Sequence, residues 1–391
     1  MNLMRDFNYY HPTRILFGKD RINEVGKIIA RNGKKCLLVT VKPFPAMNNL
    51  FKKVKSLCEK AGVEIIHYDG ATPEPNNDCV NKGSQIAREN KVDVILGVGG
   101  GSTMDTAKAI SVGATHDGDI WDFRLGRKRV GKEILPVIAV PTTGGTGAEV
   151  TNMAVIKNAR DKTKSAIASW DLTPRVAVVD PVLTLTVPPK VTASTGFDAF
   201  THSFETFINT QSSNFIDLYA LDALKKIIKY LPIAVEDGSN LEAREALSFA
   251  AMLGGLCISN IGTTLPHGMA MALGGHTSGI AHGESLAILY PEVNRWTWET
   301  SIEKFAEIGR LFDRSLNEVS DSIAAEQCCN EIESFIKKIG LWSDFSLKNV
   351  AKDDFEAITS DALNLRNYTL HPKIANHDDL INLFEKSYKR N

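Results

Sequence analysis

Residues 92–113 read VDVILGVGGGSTMDTAKAISVG. The run opens as a short apolar, β-branched strand and closes with the spacing of a helix, and between the two stand Gly97, Gly99, Gly100, Gly101 and Ser102. Strand, glycine turn and helix in that order begin a βαβ unit on a parallel sheet. Such a turn lets backbone N–H groups approach a phosphate closely, and the positive end of the helix dipole favours the anion. Ser102 stands where it can cap the helix and also donate to the phosphate. The run is not a GxGxxG fingerprint, because Ser102 holds the sixth position, and no Gly-Lys-Ser/Thr follows to make a P-loop. Its glycines also fit a tight turn that needs positive φ angles and binds nothing.

On both sides of this unit the alternation continues. KKCLLVTV (34–41), VEIIHYD (63–69), ILPVIAVPTT (134–143) and VAVVDPVLT (176–184) read as strands, with helices over 48–61 and 77–90. The second glycine cluster, PTTGGTGAEV (141–150), also follows a strand and offers the hydroxyls of Thr142, Thr143 and Thr146 beside its amides. Two such loops at strand ends suggest a dinucleotide lying across the sheet edge. Beyond Pro188-Pro189 strand-like runs give way to amphipathic patterns such as FIDLYALDALKKIIKYL and EKFAEIGRLFDRSL. The expected architecture is therefore an α/β domain over 1–188 with a parallel, Rossmann-like dinucleotide-binding sheet, followed by an all-α domain over 189–391.

With 43% hydrophobic and 23% charged residues and a net charge of −1, the 391 residues suit a globular chain of two domains. Opposite charges are interspersed, leaving no basic stripe for nucleic acid and no polybasic membrane patch. Small-molecule chemistry is the expectation. The six cysteines form no CxxC pair, and Cys328-Cys329 are adjacent, which suits reduced thiols in a cytoplasm. MNLMRDFNYYHPTRILFG has no apolar leader, and no uninterrupted apolar run is long enough for a membrane span.

The helical half carries a candidate metal site. Asp198 and His202 stand four apart in TASTGFDAFTHSFETFI, so on a helix they leave one face about 6 Å apart along the axis. His267 and His282 lie in LPHGMAMALGGHTSGIAHGESLAILYP, each in a His-Gly pair that looks like a helix entry. One carboxylate and three imidazoles suit Fe²⁺ or Zn²⁺, whereas Mg²⁺ or Ca²⁺ prefers oxygen. An isolated Asp-x-x-x-His is equally at home as a surface pair or a helix cap.

These motifs together resemble the iron-containing, or group III, alcohol dehydrogenases. GVGGGSTMDTAKAI looks like the family's GGGSxxDxAKAI, PTTGGTGAEVTN like PTTxGTGSEVT, and TASTGFDAFTHSFETF like TAxxGxDAxxHxxE; the two His-Gly elements look like its final metal-binding segment. The resemblance runs from PTRILFGKDRINEVG to the helical C-terminus. It implies metal held by Asp198, His202, His267 and His282, with Fe²⁺ ahead of Zn²⁺, and NAD or NADP with its nicotinamide between the domains. Gly99, Gly100, Gly101 and Ser102 would form the pyrophosphate loop, Asn76, Thr142, Thr143, Thr146 and Lys164 would contact the cofactor, and Asp105 would lie near the nicotinamide. The implied reaction is reversible oxidation of a primary alcohol to an aldehyde, by a homodimer or larger homo-oligomer. Glycerol-dehydrogenase-like polyol oxidoreductases and dehydroquinate-synthase-like lyases share the architecture but resemble this chain less. A nucleotide-binding sensor with a structural metal is the non-enzymatic alternative.

Two departures matter. Many members end the first strand with VTD, whose carboxylate binds the adenosine ribose and repels a 2′-phosphate. Here Val41 stands in that place with Lys42 beside it, so NADP is expected to be tolerated. Met271 stands where several relatives carry a histidine near the nicotinamide, and His276 is the substitute candidate for proton relay.

Overall fold

A computed structural model describes residues 5–158, 160–277 and 279–390. The chain forms two compact units, Tyr10–Val187 and Pro188–Asn391 with the N-terminal arm through Tyr9.

In the first unit the strands are β1 (Arg14–Phe17), β2 (Lys35–Val41), β3 (Glu64–Ala71), β4 (Val94–Gly99), β5 (Val137–Pro141), β6 (Met153–Lys157), β7 (Lys164–Ala168) and β8 (Val176–Val179). The helices are α1 (Val25–Ala30), α2 (Pro45–Lys60), α3 (Asn77–Glu89) and α4 (Gly101–Gly113). Six strands form one sheet in the order β1-β8-β5-β4-β2-β3, with every pairing parallel. Helices cover both faces of such a sheet, which is why β4 is buried at every position and reads as a continuous apolar run. On α2 the buried residues are Met47, Phe51, Val54 and Cys58, a single stripe at helical spacing. The glycine turns follow β4 and β5, neighbours in the sheet, at the strand ends where open α/β sheets bind ligands.

Three details differ from the sequence expectation. β1 is an additional four-residue edge strand. β6 and β7 form a separate antiparallel pair, so the unit is not built from parallel strands alone. The run 176–184 is a strand only to Val179; Asp180 then caps a short 3₁₀ turn that starts at Pro181, which lacks the N–H a continuing ladder needs.

Every element from Pro189 onward among the described residues is helical. The principal helices are α5 (Pro189–Ile208), α6 (Asn214–Glu236), α7 (Leu241–Ile261), α8 (Leu265–His276), α9 (His282–Thr297), α10 (Ile302–Phe312), α11 (Asp321–Lys338), α12 (Phe355–Asn364) and α13 (His377–Lys386). Pro188 precedes and Pro189 begins α5, the place where a fixed φ favours a helix start and a missing N–H costs nothing. From Phe197 to Ile208 α5 is buried on all sides, with Phe197, Phe200, Phe204 and Phe207 in the core. Among the described residues no single helix is long and apolar enough to cross a membrane.

Candidate functional site

Because α5 is a core helix, its polar residues carry most of the information. Asp198, His202 and Glu205 are all buried on it, which removes the surface-pair reading of Asp-x-x-x-His. Buried charge of this kind requires a partner of opposite sign. His267 enters from the first turn of α8 and His282 is the first residue of α9, so both histidines stand at helix entries.

Around Asp198 Oδ1 lie His267 Nε2 at 3.5 Å, His202 Nε2 at 3.6 Å and His282 Nε2 at 3.7 Å. These separations exceed ordinary hydrogen bonds of about 2.7–3.2 Å. Donors arranged tetrahedrally at ~2.1 Å from one ion would stand about 3.4 Å apart, close to the spread seen here. Asp198, His267 and His282 each present a ligand atom within 4.8 Å of the others. His202 joins through Asp198, and its ring stacks on that of His267 with centroids 4.8 Å apart. Asp198 Oδ1 and His267 Nε2 are buried and have no hydrogen-bond partner, as expected of atoms whose lone pairs face a cation. The residues therefore fit a divalent ion of borderline softness. The His282 side chain is 29% exposed and those of the other ligands at most 7%, so the set is open on the His282 side.

The sequence reading assigned no role to Glu205. Its Oε1 accepts from His267 Nδ1 at 2.6 Å and from the Tyr290 hydroxyl at 3.2 Å, and its Oε2 accepts from the Thr264 amide at 2.7 Å and the Thr264 hydroxyl at 3.1 Å. Its place at the end of the TAxxGxDAxxHxxE pattern, seven residues after Asp198 and three after His202 on the same helix face, is the signal for it.

The electrostatics agree with a cation site. Burial alone would raise the Asp198 carboxyl, but the imidazoles of His202, His267 and His282 outweigh it and hold the group well below the usual range. With no ion bound, burial lowers His267, yet Glu205 and Asp198 prevail and push it up to about 9, so a divalent ion at Nε2 would take the place of a proton there. Burial likewise raises Glu205, and His267 with the Thr264 amide brings it below its ordinary value.

In the first unit the two glycine loops are in close contact. A β-carbon on Gly101 would lie 2.6 Å from Thr146 Cγ2, and one on Gly99 2.4 Å from Thr103 Oγ1. None of Gly97, Gly99, Gly100 and Gly101 has positive φ, so close approach rather than turn strain requires them. Thr142 N–H donates to Gly99 O at 2.9 Å, tying the second loop to the first. Thr143 Oγ1 is buried without a partner, and a β-carbon on Gly100 would stand 3.5 Å from it. A small cradle with an unused hydroxyl fits a phosphate or ribose oxygen. Ser102 does not cap α4; the N-cap is Gly100, and Ser102 lies inside the first turn. Thr146 Oγ1 accepts from Ala148 N–H at 3.3 Å.

The remaining candidates take varied positions. Asn76 caps α3, its Oδ1 accepting from Cys79 N–H at 2.9 Å, and its backbone bridges to Lys157. Lys164 Nζ pairs with Glu74 at 3.2 Å. Asp105 is engaged inside the protein: Oδ1 pairs with the fully buried Lys108 at 2.9 Å and Oδ2 accepts from Val155 N–H at 3.1 Å. Lys108 Nζ also donates to Ala148 O at 3.1 Å, to Thr151 Oγ1 at 2.9 Å and to Met153 O. Val41 ends β2 and Lys42 beyond it is exposed. His276 is not brought to the ligands: its Nε2 is 2.7 Å from Asp361 Oδ2, and its place nine residues beyond His267 puts it about 14 Å further along α8. All six cysteines are free thiols.

Comparison with known proteins agrees with both halves. The family described as iron-containing alcohol dehydrogenase matches residues 12–181, and its C-terminal counterpart matches residues 192–388. The 1,3-propanediol dehydrogenase of Citrobacter freundii is 34% identical over 386 residues, covering 98% of this chain and 99% of that enzyme. The NAD-dependent methanol dehydrogenase of Bacillus methanolicus is 30% identical over 380 residues, covering 97% and 99%. The crystal structure of an alcohol dehydrogenase from an archaeal halo-thermophile of a Red Sea brine pool superposes with a TM-score of 0.94 at 30% identity, covering 99% of this chain and all of that one. The chain belongs to the iron-containing alcohol dehydrogenase family, NAD-linked oxidoreductases that act on alcohol donors.

Proposed function

We propose that the protein reversibly oxidises a primary alcohol to its aldehyde with NAD or NADP, at a centre where Asp198, His202, His267 and His282 hold Fe²⁺, or Zn²⁺ in its place. The observation that carries this reading is the ligand set itself, three of its four members buried, in which Asp198 Oδ1 and His267 Nε2 face one another and the other imidazoles beyond hydrogen-bond distance and have no hydrogen-bond partner. When bound, the divalent ion supplies Lewis acidity, lowering the pKa of an alcohol oxygen and polarising the corresponding carbonyl. The nicotinamide supplies the hydride acceptor.

The protein's own residues do the positioning. Asp198 is held ionised by the imidazoles around it and so stays a ligand rather than taking up a proton. His267 donates Nδ1–H to Glu205, which leaves Nε2 as the ligating nitrogen. The exposed His282 side is where an alcohol reaches the centre. Gly99, Gly100, Gly101 and Ser102 bring α4's first-turn amides to the pyrophosphate, and Thr143 contributes its unused hydroxyl. Thr142, Thr146, Asn76, Lys164 and Asp105 complete this surround, Thr142 tied in through its amide and the other four through side-chain partners.

We also infer a small alcohol or aldehyde as the substrate and a cytoplasmic homo-oligomer as the assembly. Light scattering and an alcohol panel test those points. For the reaction itself, removal of metal by a chelator should abolish NADH formation from alcohols, and Fe²⁺ or Zn²⁺ should restore it. Undiminished turnover by protein shown to contain no metal would end the proposal.

A further inference from the structure

We infer that Glu205 is a positioning residue for the metal, fixing the tautomer of His267 and supplying the second negative charge that makes the centre neutral with a divalent ion. The inference rests on the metal reading above and names a residue that touches neither metal nor substrate.

The carboxylate is fully buried in the last turn of α5, where an ionised acid is costly unless its lone pairs and its charge are both met. Its lone pairs are met by four donors: His267 Nδ1–H, the Thr264 amide and hydroxyl, and the Tyr290 hydroxyl. Its charge is not met by a lysine or arginine, for among the described residues its ion-pair partner is His267. Asp198 and Glu205 thus carry two negative charges, and the three imidazoles in their ligating form carry none. A divalent ion brings the buried group to zero; a monovalent ion leaves one negative charge uncompensated. The 2.6 Å contact also removes the choice of tautomer, because an ionised carboxylate only accepts. His267 must then place its proton on Nδ1 and its lone pair on Nε2, the atom beside Asp198. A carboxylate behind a ligating imidazole raises its basicity and holds the ring's orientation. A helix-capping role through Thr264 alone would need neither the His267 contact nor the charge.

The test uses protein stripped of metal and titrated with Co²⁺, followed by visible absorption and chelator competition. Wild type, Glu205→Gln and the ligand variant His282→Ala are compared, with NADH fluorescence as a control on the other unit. Glu205→Gln is expected to bind Co²⁺ about ten- to a hundredfold more weakly, with shifted absorption bands and unchanged NADH binding. Equal affinity and identical bands in wild type and Glu205→Gln would overturn the inference while leaving the metal site standing. Failure of wild type to bind Co²⁺, or undiminished binding by His282→Ala, would instead overturn the metal reading. Should Glu205→Gln fail to fold, Tyr290→Phe removes one donor from the same oxygen; shifted bands support the role, and unchanged bands and affinity overturn it.

Discussion

A β-carbon on Gly283 would stand 2.0 Å from the carbonyl oxygen of Ser194, so here α9 packs against the α5 backbone with no room for a side chain. His282 precedes that glycine and Asp198 lies one helical turn beyond Ser194, so the contact sets the spacing of two candidate ligands. Gly283→Ala must push the helices apart, and overpacking of this kind costs about 1–3 kcal/mol. The variant should unfold at lower urea and lose metal faster on dialysis than wild type. Normal metal retention would separate the helix contact from the ligand geometry.

Lys108 offers a second prediction, in the α/β unit that carries the glycine loops. Its ammonium is fully buried, is balanced by Asp105, and holds the segment from Ala148 to Met153 against α4. Lys108→Met strands one carboxylate and two carbonyls, and breaking a buried pair costs about 3–5 kcal/mol. Urea unfolding should show that loss, and weaker NADH binding should accompany it because the Ala148 segment continues the second glycine loop. A stability change below about 1 kcal/mol would show that the carbonyls find water instead.

Why some of this was legible in the sequence and some was not follows from how each residue is buried. β2, β4 and β5 are covered on both faces and declare themselves as apolar runs. β1 is a four-residue edge, and β6 and β7 begin or end in lysine, so neither gives a strong period. The candidate metal ligands stand out because a carboxylate and three histidines are uncommon company. Glu205 closes the TAxxGxDAxxHxxE pattern but carries no evident role there, since a glutamate three residues past a histidine on a helix reads as surface until the helix is known to be buried all round. Asp105 was read through its motif as a cofactor residue; only the fold brings Lys108 Nζ and Val155 N–H onto its oxygens.

Glu149 makes stability depend on pH in a definite direction. It is 2% exposed, and burial pushes its carboxyl up to about 7 from 4.5, with Lys108 opposing part of the rise. A folded-state pKa above the unfolded one means the folded chain holds the proton more tightly. The stability this brings is complete below about pH 4.5 and is lost as pH rises to about 7. Glu149→Gln cannot ionise, so its stability relative to wild type should grow across that interval and level off above it. Parallel pH profiles for the two proteins, measured by chemical unfolding, would show that Glu149 ionises without penalty.

The end of β2 offers a test of cofactor choice. Val41 pairs with Ala71 of β3, and Lys42 just beyond it is exposed. A carboxylate in the position of Val41 would accept from the adenosine ribose and repel a 2′-phosphate, whereas Val41 does neither and Lys42 offers a cation instead. Wild type should therefore use NADP as well as NAD. Val41→Asp should move the ratio of kcat/KM for NAD over NADP upward by about tenfold, equivalent to roughly 1.4 kcal/mol of differential binding. Lys42→Ala should lower kcat/KM for NADP more than for NAD, and the difference should shrink in high salt, because an exposed cation is screened. Strict use of NAD by wild type would mean that neither residue reaches the ribose, and that discrimination comes from another part of the loop.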